Sequence, residues 1–168
     1  MGLVIKATHA SESEVKALCS YLDGYPNIVV LAKSYSKPEF NSLIRCADCY
    51  VSLHRAEGFG LVMAEAMLLG TPVIATDWSA NTEFMDESVA CMVPAEIIAL
   101  DHDIYPYKKG SHWANPDEKA AGQYMRRIYE DKNFRQQKVC AALERMHTAF
   151  SMETAAKVLR EALPDKEK

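Results

Sequence analysis

Three observations predict an α/β fold, a doubly wound parallel sheet with helices on both faces and a helical C-terminus. Short apolar runs at Leu3-Val4-Ile5, Asn27 to Lys33, Cys49 to Leu53, Pro72 to Thr76 and Val89 to Val93 are separated by helix patterns, not by tight turns. Strands joined through helices pair in parallel. The runs are apolar without a clear in-out alternation, as expected of strands covered on both faces. From Asn115 onward the pattern is helical only.

In chain order, Leu3-Val4-Ile5 reads as a buried parallel strand. Ser11-Glu12-Ser13-Glu14 has the spacing of a capping box, and Val15, Leu18, Cys19 and Leu22 then mark one apolar face until Gly24 stops the helix. After the strand at Asn27 to Lys33, Ser36-Lys37-Pro38-Glu39 repeats the capping signature and opens a short helix with Phe40, Leu43 and Ile44 inward. The strand Cys49 to Leu53 leads through glycines into a helix from Gly60 to Leu69, which Gly70 ends. Beyond Pro72 to Thr76 come a polar loop, Asp77 to Asn81, a helical turn, Thr82 to Met85, and Val89 to Val93 as the last strand. Pro94 to Asn115 shows no period and reads as a solvated loop, functional or mobile. Asn115-Pro116-Asp117-Glu118 reads as a helix start, with a cap, Pro at the first helical position and acid in the first turn. That helix runs to about Lys132; Phe134 to Ala149 and Met152 to Leu163 follow, the last capped by Ser151. The charged tail, 164–168, reads as disordered.

With 168 residues, 49% of them hydrophobic, the chain can bury a core and reads as one domain over residues 1–163. A net charge of −4 argues against nucleic acid or an anionic membrane as the main partner. No apolar run has the length of a membrane span, and Lys6 stands where a myristoylation site wants Ser or Thr. Five cysteines, an odd number, suit a reducing compartment, so a cytoplasmic location is expected. Cys46-Ala47-Asp48-Cys49 is formally a C-x-x-C, but no second pair completes a zinc site, and buried small apolar residues are the expected role. Asp101, His102 and Asp103 are adjacent residues that rarely converge on one ion; no metal is expected there.

The stretch from Glu57 to Gly70 carries the chemistry. A strand that enters a helix through Gly58 and Gly60 aims free backbone N–H groups and the positive end of the helix dipole at one point, and glycine leaves no side chain to keep a ligand away. Phosphate suits such a place. Glu57 lies just outside the helix and Glu65 about 7 Å further along its axis. Carboxylates beside an anion site accept hydrogen bonds from hydroxyls. A phosphate group with hydroxyls on either side is a nucleotide diphosphate sugar. The reading requires the amides of residues 58 to 60 to be available to an oxyanion, with both glutamates on that side.

Glu57-x7-Glu65 enclosing Gly58-Phe59-Gly60-Leu61, the preceding Ser52-Leu53-His54-Arg55-Ala56, and the run from Gly70-Thr71-Pro72-Val73-Ile74-Ala75-Thr76-Asp77 to Met85 together resemble the E-x7-E region of retaining glycosyltransferases of the GT-B fold, of the GT4-type (group 1) family. The resemblance implies the Rossmann-like C-terminal, donor-binding domain of such an enzyme, without its opening strand and helix, which in the family supply a phosphate-gripping arginine and lysine. The acceptor-binding N-terminal domain is absent from this chain. By the resemblance, Glu57 is the catalytic-site carboxylate beside the donor sugar. The N–H groups of Gly58, Phe59 and Gly60 line sugar and phosphate, Leu61 places its amide near the phosphates, and Glu65 holds the ribose hydroxyls. Arg55 is either a phosphate contact or a surface arginine paired with an acid; Asn81 either meets the sugar or caps the following helix. The donor is an NDP-sugar such as a UDP- or GDP-hexose, with no cofactor and no metal. In the family the last helix packs on the other domain, so Val158 and Leu159 are expected to need a partner. Two other readings remain: a non-catalytic nucleotide-binding or interaction module of the same fold, and a GT-B-type sugar-nucleotide epimerase fragment.

Overall fold

The computed structural model describes residues 2–163; the tail read as disordered lies outside them. The chain forms two compact units divided between Phe40 and Asn41.

The first unit holds β1 (Leu3–Lys6), α1 (Glu12–Tyr21), β2 (Ile28–Leu31) and the start of α2 (Lys37–Arg45). β1 and β2 are parallel, with Leu3 opposite Ile28 and Lys6 opposite Leu31. The Ser11 capping box forms in full, and at Ser36 the return bond from the backbone N–H to Glu39 is made. The Ser11 side chain accepts the Glu14 amide while the Ser11 N–H donates to Glu14 Oε2 at 2.7 Å, and the Ser36 N–H donates to Glu39 Oε2 at 2.8 Å. The expected burial of β1 is not found: Leu3 is 41% exposed and Val4 52%. Two strands and one helix between them cannot enclose both faces of a sheet.

The second unit contains β3 (Tyr50–Ser52), α3 (Leu61–Leu68), β4 (Val73–Thr76), a 3-10 turn at Ala80–Glu83, β5 (Cys91–Val93), β6 (Ala95–Ala99), β7 (His112–Pro116), α4 (Glu118–Glu130), α5 (Lys132–Ala149) and α6 (Met152–Ala162). β3, β4 and β5 form a parallel sheet in that order, with Val51 opposite Ile74 and Ile74 opposite Cys91. Ile74, Cys91 and Val93 of the sheet pack with Ala121 and Ile128 of α4, and Cys49, Val51 and Leu53 join them. Because a strand alternates its faces, Tyr50, Ser52 and His54 are directed to the opposite side. On α3, Met63, Ala64, Ala66 and Met67 are buried.

Four expectations are corrected. Residues 94–115 are not a solvated loop throughout: β6 and β7 form an antiparallel hairpin, with Ala95 opposite Pro116 and Ala99 opposite His112. Asn115 and Pro116 end that hairpin, and it is Asp117 that caps α4, accepting the amides of Lys119 and Ala120. The helical turn after β4 begins at Ala80, two residues before the expected Thr82. The two cysteines of the C-x-x-C differ, Cys46 being exposed while Cys49 packs against the core, where burial pushes its thiol up to about 12. Asp101, His102 and Asp103 lie exposed in the hairpin loop, with Asp103 accepting from Lys108 at 2.7 Å. On α6, Val158 is 56% exposed and Leu159 61%.

Candidate functional site

The site forms where β3 and β4 end. β3 delivers the chain into the loop 53–60, which turns at Gly60 into α3. Gly60 adopts φ 90°, a left-handed conformation that glycine alone takes without cost, and it offers α3 no capping side chain. Its lack of a side chain serves the fold: a Cβ there would stand 2.8 Å from Met63 Cε and 3.3 Å from both Asn81 Cβ and Phe84 Cζ. Gly58 is different, with nothing within 4 Å of the place its Cβ would occupy. Of the two glycines expected to make room for a ligand, only Gly58 opens to space.

The amides of the turn are engaged. Glu57 Oε1 accepts the N–H of Gly58 at 2.9 Å and of Phe59 at 3.4 Å. The expectation that these amides stand free is therefore corrected. The cause is local, since a carboxylate directly before two converging N–H groups is itself an anion at the right distance. The turn is a cradle of two backbone donors filled by the side chain on its own rim.

Glu57 and Glu65 share a neighbour. Burial first, then the negative charges of Glu57 and Glu65, raise the pKa of the Tyr50 phenol. Both carboxylates thus act on the same phenol. Phe59 is 48% exposed and leans on Phe84, ring centroids 5.2 Å apart; Leu61, the first residue of α3, is 61% exposed.

Arg55 packs against an aromatic ring. Its guanidinium lies over Trp113 of β7, 5.0 Å from the ring centroid, and its carbonyl accepts the Ala114 N–H at 2.8 Å. The hairpin is thereby pinned to the segment leading into Glu57. Asn81 is corrected as a donor contact. It is 0% exposed, and its side-chain amide donates to the Thr76 carbonyl at 3.0 Å while Oδ1 receives His54 Nε2 at 3.1 Å. Nor is it a helix cap, for it sits inside the 3-10 turn and Ser79 holds the capping position.

Sequence reading missed Tyr50 and Ser79, while it placed His54 at the end of a strand facing the site. The signal for Tyr50 was its alternation with Ser52 within a strand read as uniformly apolar. Ser79 has φ 81° and ψ −165°, a region almost reserved for glycine, which no residue-type rule announces for serine. Its hydroxyl donates to the Glu57 carbonyl.

A family model described as "Glycosyl transferases group 1" matches residues 3–103, which take in Glu57, the glycine turn, Glu65 and Asn81. The chain belongs to that family. Among relatives of the group 1 chain, the lipopolysaccharide core biosynthesis mannosyltransferase LpsB of Rhizobium meliloti (strain 1021) is 36% identical over 76 residues, 45% of this chain and 21% of that protein. In fold the group 1 chain is similar to Anabaena HepE, solved in complex with UDP-glucose, at a TM-score of 0.67 and 17% identity, over 95% of this chain and 40% of that one. It is also similar to the C-terminal domain of the group 1 protein LpcC from Francisella tularensis, at a TM-score of 0.58 and 15% identity, over 90% of this chain and 87% of that one. The group 1 chain thus spans about a fifth of LpsB and two fifths of HepE.

Proposed function

We propose that the chain is the donor-binding domain of a retaining glycosyltransferase that moves a hexosyl group from an NDP-sugar to a hydroxyl. What carries this is the family match over residues 3–103, which spans Glu57, the turn at Gly58 to Gly60 and Glu65; because Glu57 itself occupies the Gly58 and Phe59 amides, donor binding has to displace it. That the cradle already holds a carboxylate supports an oxyanion as its natural occupant. On donor binding Glu57 leaves the two amides and accepts hydrogen bonds from the sugar hydroxyls. The N–H groups of Gly58, Phe59 and Gly60 then face the sugar and phosphate, and that of Leu61 the phosphates. Glu65 accepts the ribose hydroxyls. Arg55, supported on Trp113, supplies positive charge for the diphosphate.

In the transfer itself the bond from the anomeric carbon to the diphosphate oxygen breaks as the acceptor oxygen bonds to the same face of that carbon. The departing diphosphate takes the acceptor's proton, and no enzyme nucleophile is required. The protein's contribution is then to stabilise charge on the diphosphate while the sugar becomes cationic. The acceptor comes from a second domain outside this chain, so the isolated chain binds a donor and transfers nothing.

Calorimetric titration with UDP-glucose and GDP-mannose tests this. Binding of one of them without transfer is the expected result, and binding of neither overturns the reading. Rapid transfer by the chain alone contradicts the need for a second domain. The engaged amides also favour a second reading, a module of this fold whose cradle stays closed by Glu57. Glu57→Gln in a two-domain parent separates the two, because a catalytic-site carboxylate loses most turnover and a closed module loses none.

A further inference from the structure

His54 takes no part in the chemistry above, yet both of its ring nitrogens lie within hydrogen-bond distance of polar groups. Its Nε2 lies 2.9 Å from the Trp78 carbonyl and 3.1 Å from Asn81 Oδ1. The identity of that Asn81 atom is fixed because the other end of the amide donates to the Thr76 carbonyl. Two acceptors therefore meet at Nε2, and that nitrogen carries a hydrogen. Nδ1 lies 3.3 Å from Ser52 Oγ, a hydroxyl that can give or receive.

Trp78 and Asn81 stand on either side of Ser79. By holding the carbonyl before it and the buried amide two residues after it, His54 clamps the loop around Ser79 in its glycine-like conformation. In that conformation the Ser79 hydroxyl reaches the Glu57 carbonyl. The connection runs from β3, through the loop after β4, and back to the residue on the rim of the cradle.

We infer that His54 is a positioning residue for Glu57, acting through Trp78, Asn81 and Ser79 to set the direction of its carboxylate toward the sugar half of the donor. The inference rests on the proposed contact between Glu57 and the sugar. It predicts a division between the two halves of the ligand. His54 governs the extra affinity that the hexose adds, not the affinity for the nucleotide.

The test measures dissociation constants of the chain for UDP against UDP-glucose, and GDP against GDP-mannose, in the wild type, His54→Phe and His54→Gln. The gain from the sugar falls about threefold to tenfold in His54→Phe with nucleotide affinity unchanged, and His54→Gln, which keeps an N–H donor, restores most of it. Ser79→Ala, which removes the link to Glu57 without touching the histidine, gives the same signature and serves if His54→Phe does not fold. A parallel loss for nucleotide and nucleotide sugar, or no change in either, overturns the inference. Should the wild type bind none of these ligands, the donor reading fails, and a ligand-independent measurement still decides the role of His54. Hydrogen exchange at the Gly58 and Phe59 amides, which Glu57 protects, accelerates in His54→Phe, and unchanged exchange refutes the clamp.

Discussion

At the scale of single residues, Gly58 and Gly60 look alike in the sequence and do opposite work. Gly60 combines a left-handed backbone with crowding by Met63, Asn81 and Phe84, so Gly60→Ala strains the chain and overpacks the site floor. Denaturant unfolding is expected to show a loss of about 2 kcal/mol or more. Gly58 faces open space, and Gly58→Ala is expected to leave stability within about 0.5 kcal/mol. If a ligand lies on that surface, the same methyl lowers UDP-glucose or GDP-mannose affinity about tenfold. Equal effects of the two substitutions on stability would remove the distinction drawn here. The pair also shows what residue types conceal. A glycine states that a side chain is unwelcome, but whether the excluded volume belongs to the protein or to a ligand depends on Asn81 and Phe84, more than twenty residues further on.

At the scale of elements, what was legible was local. The capping box at Ser11, the return bond at Ser36 and the Ser151 cap depend on contacts three residues apart, and each forms where the spacing puts it. The β6–β7 hairpin was not legible, because its register is fixed across the Leu100–Ser111 loop and by the bond from Ala114 to Arg55, neither of which leaves a period in the sequence. The turn before β5 is another such case. Asp86 accepts the Ser88 hydroxyl and amide and the Arg145 guanidinium of α5, the last at 2.9 Å. Ser88 chiefly, with Arg145 adding to it, holds the Asp86 carboxyl at about 2 against an ordinary 3.8, despite an opposing effect of burial. A depressed folded-state value means stability that is complete above the unfolded value and is lost as pH falls from 3.8 through about 2. Asp86→Asn is therefore expected to destabilise the chain at neutral pH. The gap from wild type, measured by urea unfolding, closes across that acid window. A gap that stays constant with pH would show that the Asp86 charge is not its source.

At the scale of the whole molecule, burial is divided unevenly. Every buried side chain among the described residues belongs to Ile44 and later positions, with the densest packing on β4, β5 and α3. Residues 2–40 form the same kinds of element with equally clear local signals, yet none of them is buried. Sequence pattern reports which face of a strand is apolar; it does not report whether anything covers that face, and this is why β1 was read as buried. Stability against opening follows the covering, because exposed backbone hydrogen bonds with few apolar contacts break by small local fluctuations. A stretch of about forty residues is also near the size below which a unit seldom holds together by its own core. Hydrogen exchange followed by mass spectrometry is accordingly expected to show β1, α1 and β2 exchanging well before β4 and β5, in a separate step. Limited proteolysis is expected to cut first before Asn41 and leave a resistant fragment beginning near α2. Protection of β1 equal to that of β4 would mean that the first unit gains stability from a source other than burial of its own side chains.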